Sequence, residues 1–383
     1  MSAGILYIGD AGDLDAGVVV DRETAIEIAS VFACIHALTE DVGQVPLPVY
    51  VHTQEGRVKA WREPVYKAFK YGPNAWQTLQ DWQEQIMLHA LTHGDYFARI
   101  GRVAGEFREL YPVENPEAVR PYIKNGRRFF EMGKRTYDDT EMLHIHGASI
   151  DGYAGRDMCD THRQTLAMAK ALYRYGAKFF ANGGQLRGIL ILPPGSKSED
   201  AKAAVTTFEE KYGGENAFKI AAYANATDFK PIVADPEKAQ ALGSREQVNK
   251  EIAALYRIPL WRLYGEQPPT LEARVAYYTD AVRPWLVRIA GAVNKYLIGS
   301  DKPLYAEHNT AALLQSDIKT RFEAYAVGIT NRFINPNEVR QRENMTTYPG
   351  GAEFVNPNVM SAEDTKRIEA DKATDKGTKT DEK

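Results

Sequence analysis

Two pairs of histidines are the first candidates for chemistry. His89 and His93 stand four apart on a predicted helix, the spacing at which two imidazoles on one face bind zinc. Between them lie Ala90, Leu91 and Thr92, so the glutamate that acts as general base in a helical zinc hydrolase is missing. His144 and His146 alternate on a predicted strand, with no acidic or cysteine residue between them or directly after them. Packing and capping roles are therefore expected for all four, and a metal-dependent hydrolase is kept only as a remote alternative. The glycine pairs Gly183-Gly184, Gly213-Gly214 and Gly350-Gly351 lie in neither a strand–GxGxxG–helix nor a P-loop setting, and no GxSxG elbow occurs. The expectation is no catalytic residue, no cofactor and no metal. Cys34 and Cys159 lack metal spacing and are expected to be buried free thiols.

What remains is charge. Arg163, Lys170, Arg174 and Lys178 recur along one side of a strong helical pattern from Asp157 to Asn182. Leu166, Ala169, Leu172, Tyr173, Gly176, Phe179 and Phe180 line another side. The basic stripe is either an ordinary solvated face or a surface that meets phosphate, where each neutralised phosphate adds affinity through counterion release. The 383 residues carry a net charge of −4, with 44% hydrophobic and 26% charged residues. That balance describes a globular chain and argues against tight storage of nucleic acid. No segment approaches the roughly 18 apolar residues of a membrane helix, and Met1–Val20 has no basic start to suggest a signal peptide.

The elements that would carry these residues are mixed. The first 150 residues predict an α+β domain. It has a helix from Arg22 to Val42 with Ile28, Val31, Phe32, Ile35, Leu38 and Val42 on one face. A strand at Pro46–Val51 follows, its prolines placing it at an edge. Next come a helix at Leu79–His93 and strands at Tyr96–Arg102, Phe107–Tyr111, Val119–Ile123, Arg128–Met132 and Met142–His146. An insert from Gln185 to about Lys230 contains a strand at Gly188–Leu192 and a helix at Ser198–Tyr212.

Two long helical patterns then meet at Ile258–Thr270. The second carries Leu271, Val275, Tyr278, Val282, Trp285, Ile289, Val293 and Tyr296 at steps of three and four. Pro284 inside it removes a backbone donor and predicts a kink. Asn335-Pro336-Asn337-Glu338 spells a capped helix start. Beyond Ser361 the composition is that of a disordered tail.

The order of several short stretches resembles the HK97-type portal family of tailed bacteriophages. They are Ser30–Ile35, Val45–Tyr50, Gly72-Pro73-Asn74, His93–Ala98, Leu110–Val113, His144-Ile145-His146, Asp151–Gly155, Lys178–Gly183, Ile258-Pro259, Asn337–Arg340 and Gly350-Gly351. The resemblance implies an α+β portal-type fold. Its parts would be an N-terminal arm (1–21), a wing (22–156), stem helix 1 (157–184), a clip (185–235) and stem helix 2 (236–258). A tunnel-loop region (259–270), a long kinked wing helix with a strand (271–314), a small helical crown (315–360) and a disordered tail (361–383) would complete it.

It also implies a homo-oligomeric ring, usually of twelve, at one capsid vertex of a virion whose protein is made in the bacterial cytoplasm. Double-stranded DNA would pass through that ring. Terminase large subunit, head–tail adaptor and major capsid protein or scaffold would be its partners, with no membrane. A gene-transfer particle or defective prophage would use such a ring equally. The channel candidates are then Arg163, Lys170, Arg174, Lys178, Gly265, Glu266, Gln267, Pro268, Pro269 and Thr270. Pro268-Pro269-Thr270-Leu271-Glu272 is shorter and stiffer than the family's polar stretch, which predicts a loop that sizes a channel more than it clutches DNA.

Overall fold

The computed structural model describes residues 21–53, 56–181, 188–191, 197, 199, 202–203, 206, 228–231, 235–299, 302–310, 318–343 and 345–354. The expected insert helix at Ser198–Tyr212 lies mostly outside them, as do the arm apart from Asp21 and the whole of the tail. The chain forms two compact units, residues 1–309 and 310–383.

The first unit starts with α1 (Arg22–Ile26), where Asp21 and Thr24 form a reciprocal capping box. The expected single helix is broken after α1, and α2 (Ala29–Gly43) continues the chain. Its inner face buries Val31, Cys34, Ile35, Leu38 and Val42, but Phe32 is 51% exposed and stands off the core. The strand β1 (Val49–Thr53) starts after the two prolines. It is the centre of the sheet β11-β1-β2, not an edge. The prolines are tolerated because their carbonyls accept: Asn309 N–H donates to Pro46 O at 2.9 Å and Glu307 N–H to Pro48 O at 3.2 Å. The partner strands β2 (Gly56–Lys59) and β11 (Leu304–Ala306) are both antiparallel to β1.

After α3 (Pro64–Tyr71), α4 (Leu79–Thr92) is held by a capping box between Thr78 and Asp81. It buries Trp82, Ile86 and Ala90 against α2, as the pattern required. The amide of Gln83, fully buried, donates to Val42 O and Gly43 O at the C-terminus of α2 and to Val45 O just beyond it.

Two antiparallel three-stranded sheets follow. One has the order β4-β3-β8, with β3 Asp95–Val103, β4 Glu106–Pro112 and β8 Met142–His146. The other has β5 (Val119–Lys124), β6 (Arg127–Met132) and β7 (Arg135–Asp138) in that order. Phe97, Phe130, Tyr137 and Met142 form the core between them. Gly94 and Gly155 touch here: a Cβ on Gly155 would stand 1.8 Å from Gly94 O, so only glycine allows the crossing.

The helix expected from Asp157 is two: α5 (Met158–Thr161), capped by Asp157, and α6 (Arg163–Ala181), with the break at His162. The strands β9 (Gly188–Ile191) and β10 (Asp228–Pro231) pair antiparallel, and α7 (Asp235–Leu255) returns alongside α6. The short α8 (Leu260–Leu263) precedes the loop.

From Leu271 to Ile298 the backbone is helical throughout but not one α-helix. It runs as α9 (Leu271–Tyr277), a π-turn (Tyr278–Val282), α10 (Arg283–Val293) and a second π-turn (Asn294–Ile298). Along the apolar stripe Tyr278, Val282, Ile289, Val293 and Tyr296 are buried and Trp285 is half-buried, whereas Leu271 and Val275 are exposed.

The second unit holds α11 (Ile318–Thr330) and α12 (Pro336–Arg342). Asn335 and Glu338 form the capping box that the sequence spelled. Arg321 and Tyr325 of α11 both donate to the Glu343 carboxylate, at 2.9 and 3.0 Å.

Candidate functional site

The basic stripe lies on α6, which pairs with α7. The two helices meet through Tyr173, whose hydroxyl donates to Asn249 Oδ1 at 3.3 Å while the Arg245 guanidinium lies 4.6 Å over its ring. Leu166 and Ala169 on one helix and Val248 and Ile252 on the other are buried. Arg163 and Arg174 are exposed, whereas the Lys178 side chain lies outside the described residues. Lys170 differs from both. Its side chain is only 14% exposed, and its Nζ sits 3.8 Å from Glu27 Oε2 just after α1. The stripe is thus not uniform: one of its four cations serves the chain's own N-terminal helix. Arg22 ties the same helix down through Asp157, at 2.6 Å, and through Glu117.

The loop between α8 and α9 is built from both ends. Helix α7 closes in a Schellman motif, with Ile258 N–H donating to Ala253 O at 2.8 Å and Arg257 N–H to Ala254 O at 3.1 Å. Arg257 occupies the left-handed position at φ +57°, where glycine is usual. Tyr264, Gly265, Glu266, Gln267, Pro269 and Thr270 are exposed and Pro268 is half-buried. Thr270 caps α9 by accepting from Ala273 N–H at 3.1 Å.

Beneath the loop, one carboxylate holds both flanks. Asp41 of α2 accepts from Arg262 Nε at 3.1 Å and Nη2 at 3.0 Å, and from Tyr277 Oη at 2.7 Å. The bidentate geometry fixes α8, and the phenol fixes the end of α9. Burial, followed by the Asp41 charge, pushes the Tyr277 hydroxyl well above the usual tyrosine range, so it stays a donor. The Asp41 hydrogen bond in turn raises Arg262.

With this geometry the chain can be compared with known proteins. The family model described as phage portal protein matches residues 29–344. The chain belongs to the phage portal protein family. A protein described as a probable portal protein of Streptomyces phage phiC31 is 26% identical over 361 residues, spanning 88% of this chain and 78% of that one. The crystal structure of an HK97-family phage portal protein from Corynebacterium diphtheriae shares the fold, with a TM-score of 0.58 at 16% identity. The match covers 78% of this chain and 98% of that one. The neck of a native gene transfer agent particle, computed with C12 symmetry, matches with a TM-score of 0.53 at 17% identity, over 86% of this chain and 94% of that one.

Two features of this portal-family chain escaped sequence reasoning. Asp41 stands beside Glu40 near the end of α2, and its partners lie 221 and 236 residues away. Arg257 has a second task besides its strained backbone. Its Nη1 donates to Asp280 O at 3.2 Å. Asp280 is four residues before Pro284, so its carbonyl receives no α-helical bond from the proline, which has no N–H. The π-turn sits at the same place, its end marked by Arg283 N–H donating to Tyr278 O.

The histidines separate by role. His144 is stacked on Phe97 at 4.6 Å, with Nε2 2.7 Å from Asp95 Oδ1 and Nδ1 3.2 Å from Arg128 Nη1. A neutral ring that donates to Asp95 and accepts from Arg128 satisfies both contacts, and burial lowers its pKa accordingly. Arg128 also donates to Tyr296 Oη at 3.0 Å, so the cluster pins the sheets to the helical run. His89 is buried and pushed down to about 4, first by burial and then by His93, whose ring packs edge-on at 5.7 Å. Among the described residues, no three His, Cys, Asp or Glu side chains converge on a metal position.

Proposed function

We propose that this chain is the subunit of a portal ring at one capsid vertex, a conduit for double-stranded DNA during packaging and ejection that performs no catalysis itself. The observation that carries the reading is the match to the phage portal family over residues 29–344. Geometry supports it at the loop, where Tyr264, Leu271 and Val275 are 54%, 53% and 38% exposed. Apolar residues clustered in sequence at the end of paired helices suit a site covered by a neighbouring subunit.

In this reading α6 and α7 are the stem, and the segment between them is the clip that meets the terminase large subunit and later the head–tail adaptor. Residues 265–270 border the channel, and the wing faces capsid or scaffold protein. Arg163, Arg174 and Lys178 are the stem's candidates for meeting phosphate. Lys170 is reassigned to holding α1, because its partner is Glu27.

Native mass measurement and negative-stain imaging of the purified protein test the ring. Closed rings of about twelve copies are expected, as in the C12 neck of the structural neighbour. A monodisperse monomer at every concentration tried would refute the proposal. A portal of a gene transfer particle is the second reading, favoured by that same neck match. Sequencing the packaged DNA separates the two: one phage genome supports the first, and random host fragments the second.

A further inference from the structure

The sheet β11-β1-β2 buries Val49 and Ala306 on one face and turns aromatic and basic residues outward on the other. Strand alternation puts Tyr50 and His52 on that outer face, opposite Lys59 and Arg57 in register, with Tyr305 on the third strand. The rings of Tyr50 and Tyr305 lie 5.7 Å apart, and His52 stacks on Tyr305 at 5.1 Å. Arg57 covers Tyr50 at 4.9 Å, and Lys59 lies 5.4 Å over Trp61. Trp61 in turn packs on Tyr66 of α3 at 5.1 Å. The aromatic contacts thus run from the sheet through Trp61 to Tyr66 of α3. Trp61 is 56% exposed and Tyr71 80%.

Charge on this face is one-sided. Lys59 and Arg62, and Lys67 and Lys70 of α3, are exposed. The acids nearby are already engaged, Glu63 with Lys302 at 3.4 Å and Glu307 with Arg57 at 2.8 Å. Tryptophan, tyrosine and basic side chains on a firm scaffold make a protein-binding surface. Tyr50 and Tyr305 are half-buried and packed on each other, and apolar rings alternate with cations, which suits an acidic peptide with apolar side chains.

The sequence holds a complementary segment. Residues 1–21 carry Asp10, Asp13, Asp15 and Asp21 with no Lys, Arg or His, and they interleave Ile5-Leu6-Tyr7-Ile8 and Val18-Val19-Val20. The chain as a whole is nearly balanced, 47 basic against 51 acidic residues, and its C-terminal tail mixes both signs. Twenty residues extend up to roughly 66 Å at about 3.3 Å each, so reach does not limit docking. We propose that the aromatic, basic face of β1, β2, β11 and α3 is the docking surface for the arm of residues 1–20. Asp10, Asp13 and Asp15 then face Lys59, Lys67 and Lys70, and the arm's apolar residues cover Trp61 and Tyr71.

The test uses the full chain with a photoreactive benzoylphenylalanine in place of Tyr7, cross-linked and mapped by mass spectrometry. Cross-links to residues 57–71 are expected to dominate. Their yield should fall roughly fivefold in Lys67→Glu/Lys70→Glu, and likewise in 0.5 M salt, which shortens the Debye length to roughly 4 Å. The urea midpoint of each variant, unchanged within error, shows that the surface substitutions leave the fold intact. Cross-links confined to other segments overturn the proposal. So does a yield unaffected by charge reversal, or a scrambled arm of equal composition that cross-links equally well.

Discussion

Asp41→Asn tests whether one carboxylate sets the geometry of the loop. The substitution keeps a planar side chain and one acceptor oxygen but removes the charge shared by Arg262 and Tyr277. Hydrogen bonds to charged groups contribute about 1.5–3 kcal/mol each. The Arg262 side chain is 29% exposed and Asp41 17%, so water re-solvates part of what is lost and the low end applies. The expected cost is about 2 kcal/mol, most of it local, because α8 and α9 lose their common anchor. Hydrogen exchange of the amides in residues 260–277 should quicken by roughly 30-fold, since each 1.4 kcal/mol is a factor of ten. A double-mutant cycle with Tyr277→Phe should show coupling of at least about 0.5 kcal/mol. High pH gives an independent check. The Tyr277 hydroxyl is held well above the ordinary tyrosine pKa of about 10, so the folded state keeps a proton that the unfolded state loses, and stability should decline as pH rises past about 10. Unchanged exchange in 260–277, with an unfolding free energy within about 0.3 kcal/mol of the parent, would refute the clamp.

The other predictions concern the core, the helical run around Pro284 and the basic residues of α6. His89 and His308 are both depressed to about 4 by burial, so the unfolded state binds protons first as pH falls from 6.5. Each should cost up to about 2 kcal/mol by pH 5, read as a lower urea midpoint than at pH 7; equal midpoints would contradict the buried, neutral assignment. Gly155→Ala forces a methyl onto Gly94 O and should destabilise by more than about 3 kcal/mol or abolish soluble expression; a loss below about 1 kcal/mol would mean the crossing is loose. Pro284→Ala restores an N–H that can reach Asp280 O, so Arg257→Ala should cost less stability in that background than in the parent; equal costs would disconnect the two. Arg174→Glu should impair DNA packaging with rings intact, whereas Lys170→Glu should speed exchange in residues 21–30; the same phenotype for both would undo the reassignment of Lys170.

What was legible in the sequence was whatever local chemistry decides. The helix start at Asn335, the face of α4 with Trp82 and Ile86, and the strands β3 to β6 all follow from capping residues and period. The errors arose where distant partners override local preference. Pro46 and Pro48 argued for an edge, but they precede the strand and need only supply carbonyls, so β1 became the centre of its sheet. Phe32 fits the helical stripe of α2 yet faces out, because α4 and α7 cover the other residues and leave it aside. β2, β7 and α3 carry patterns too short or too polar for periodicity to register. The clamp was invisible for a different reason. An aspartate at a helix end has many ordinary explanations, and only the fold shows that Arg262 and Tyr277 converge on it.

The loop's mechanics follow from how its ends are held. Arg262 and Tyr277 share Asp41, Thr270 caps α9, and Pro268 and Pro269 restrict the backbone between them. A segment fixed at both ends to one carboxylate on a third helix cannot swing by opening at one flank. Any displacement must move α8 and α9 with α2, or must be taken up farther along the helical run. The place suited to that is Tyr278–Pro284, where a π-turn and a missing donor already break the α-helical ladder. Arg257 guards this point by donating to Asp280 O, and it keeps a left-handed backbone that glycine would adopt at lower cost. The guanidinium is the reason a glycine would not do: it links the end of α7 to the one carbonyl that Pro284 leaves open. The end of α7 and the π-turn before Pro284 are therefore one mechanical joint, with the loop carried between them.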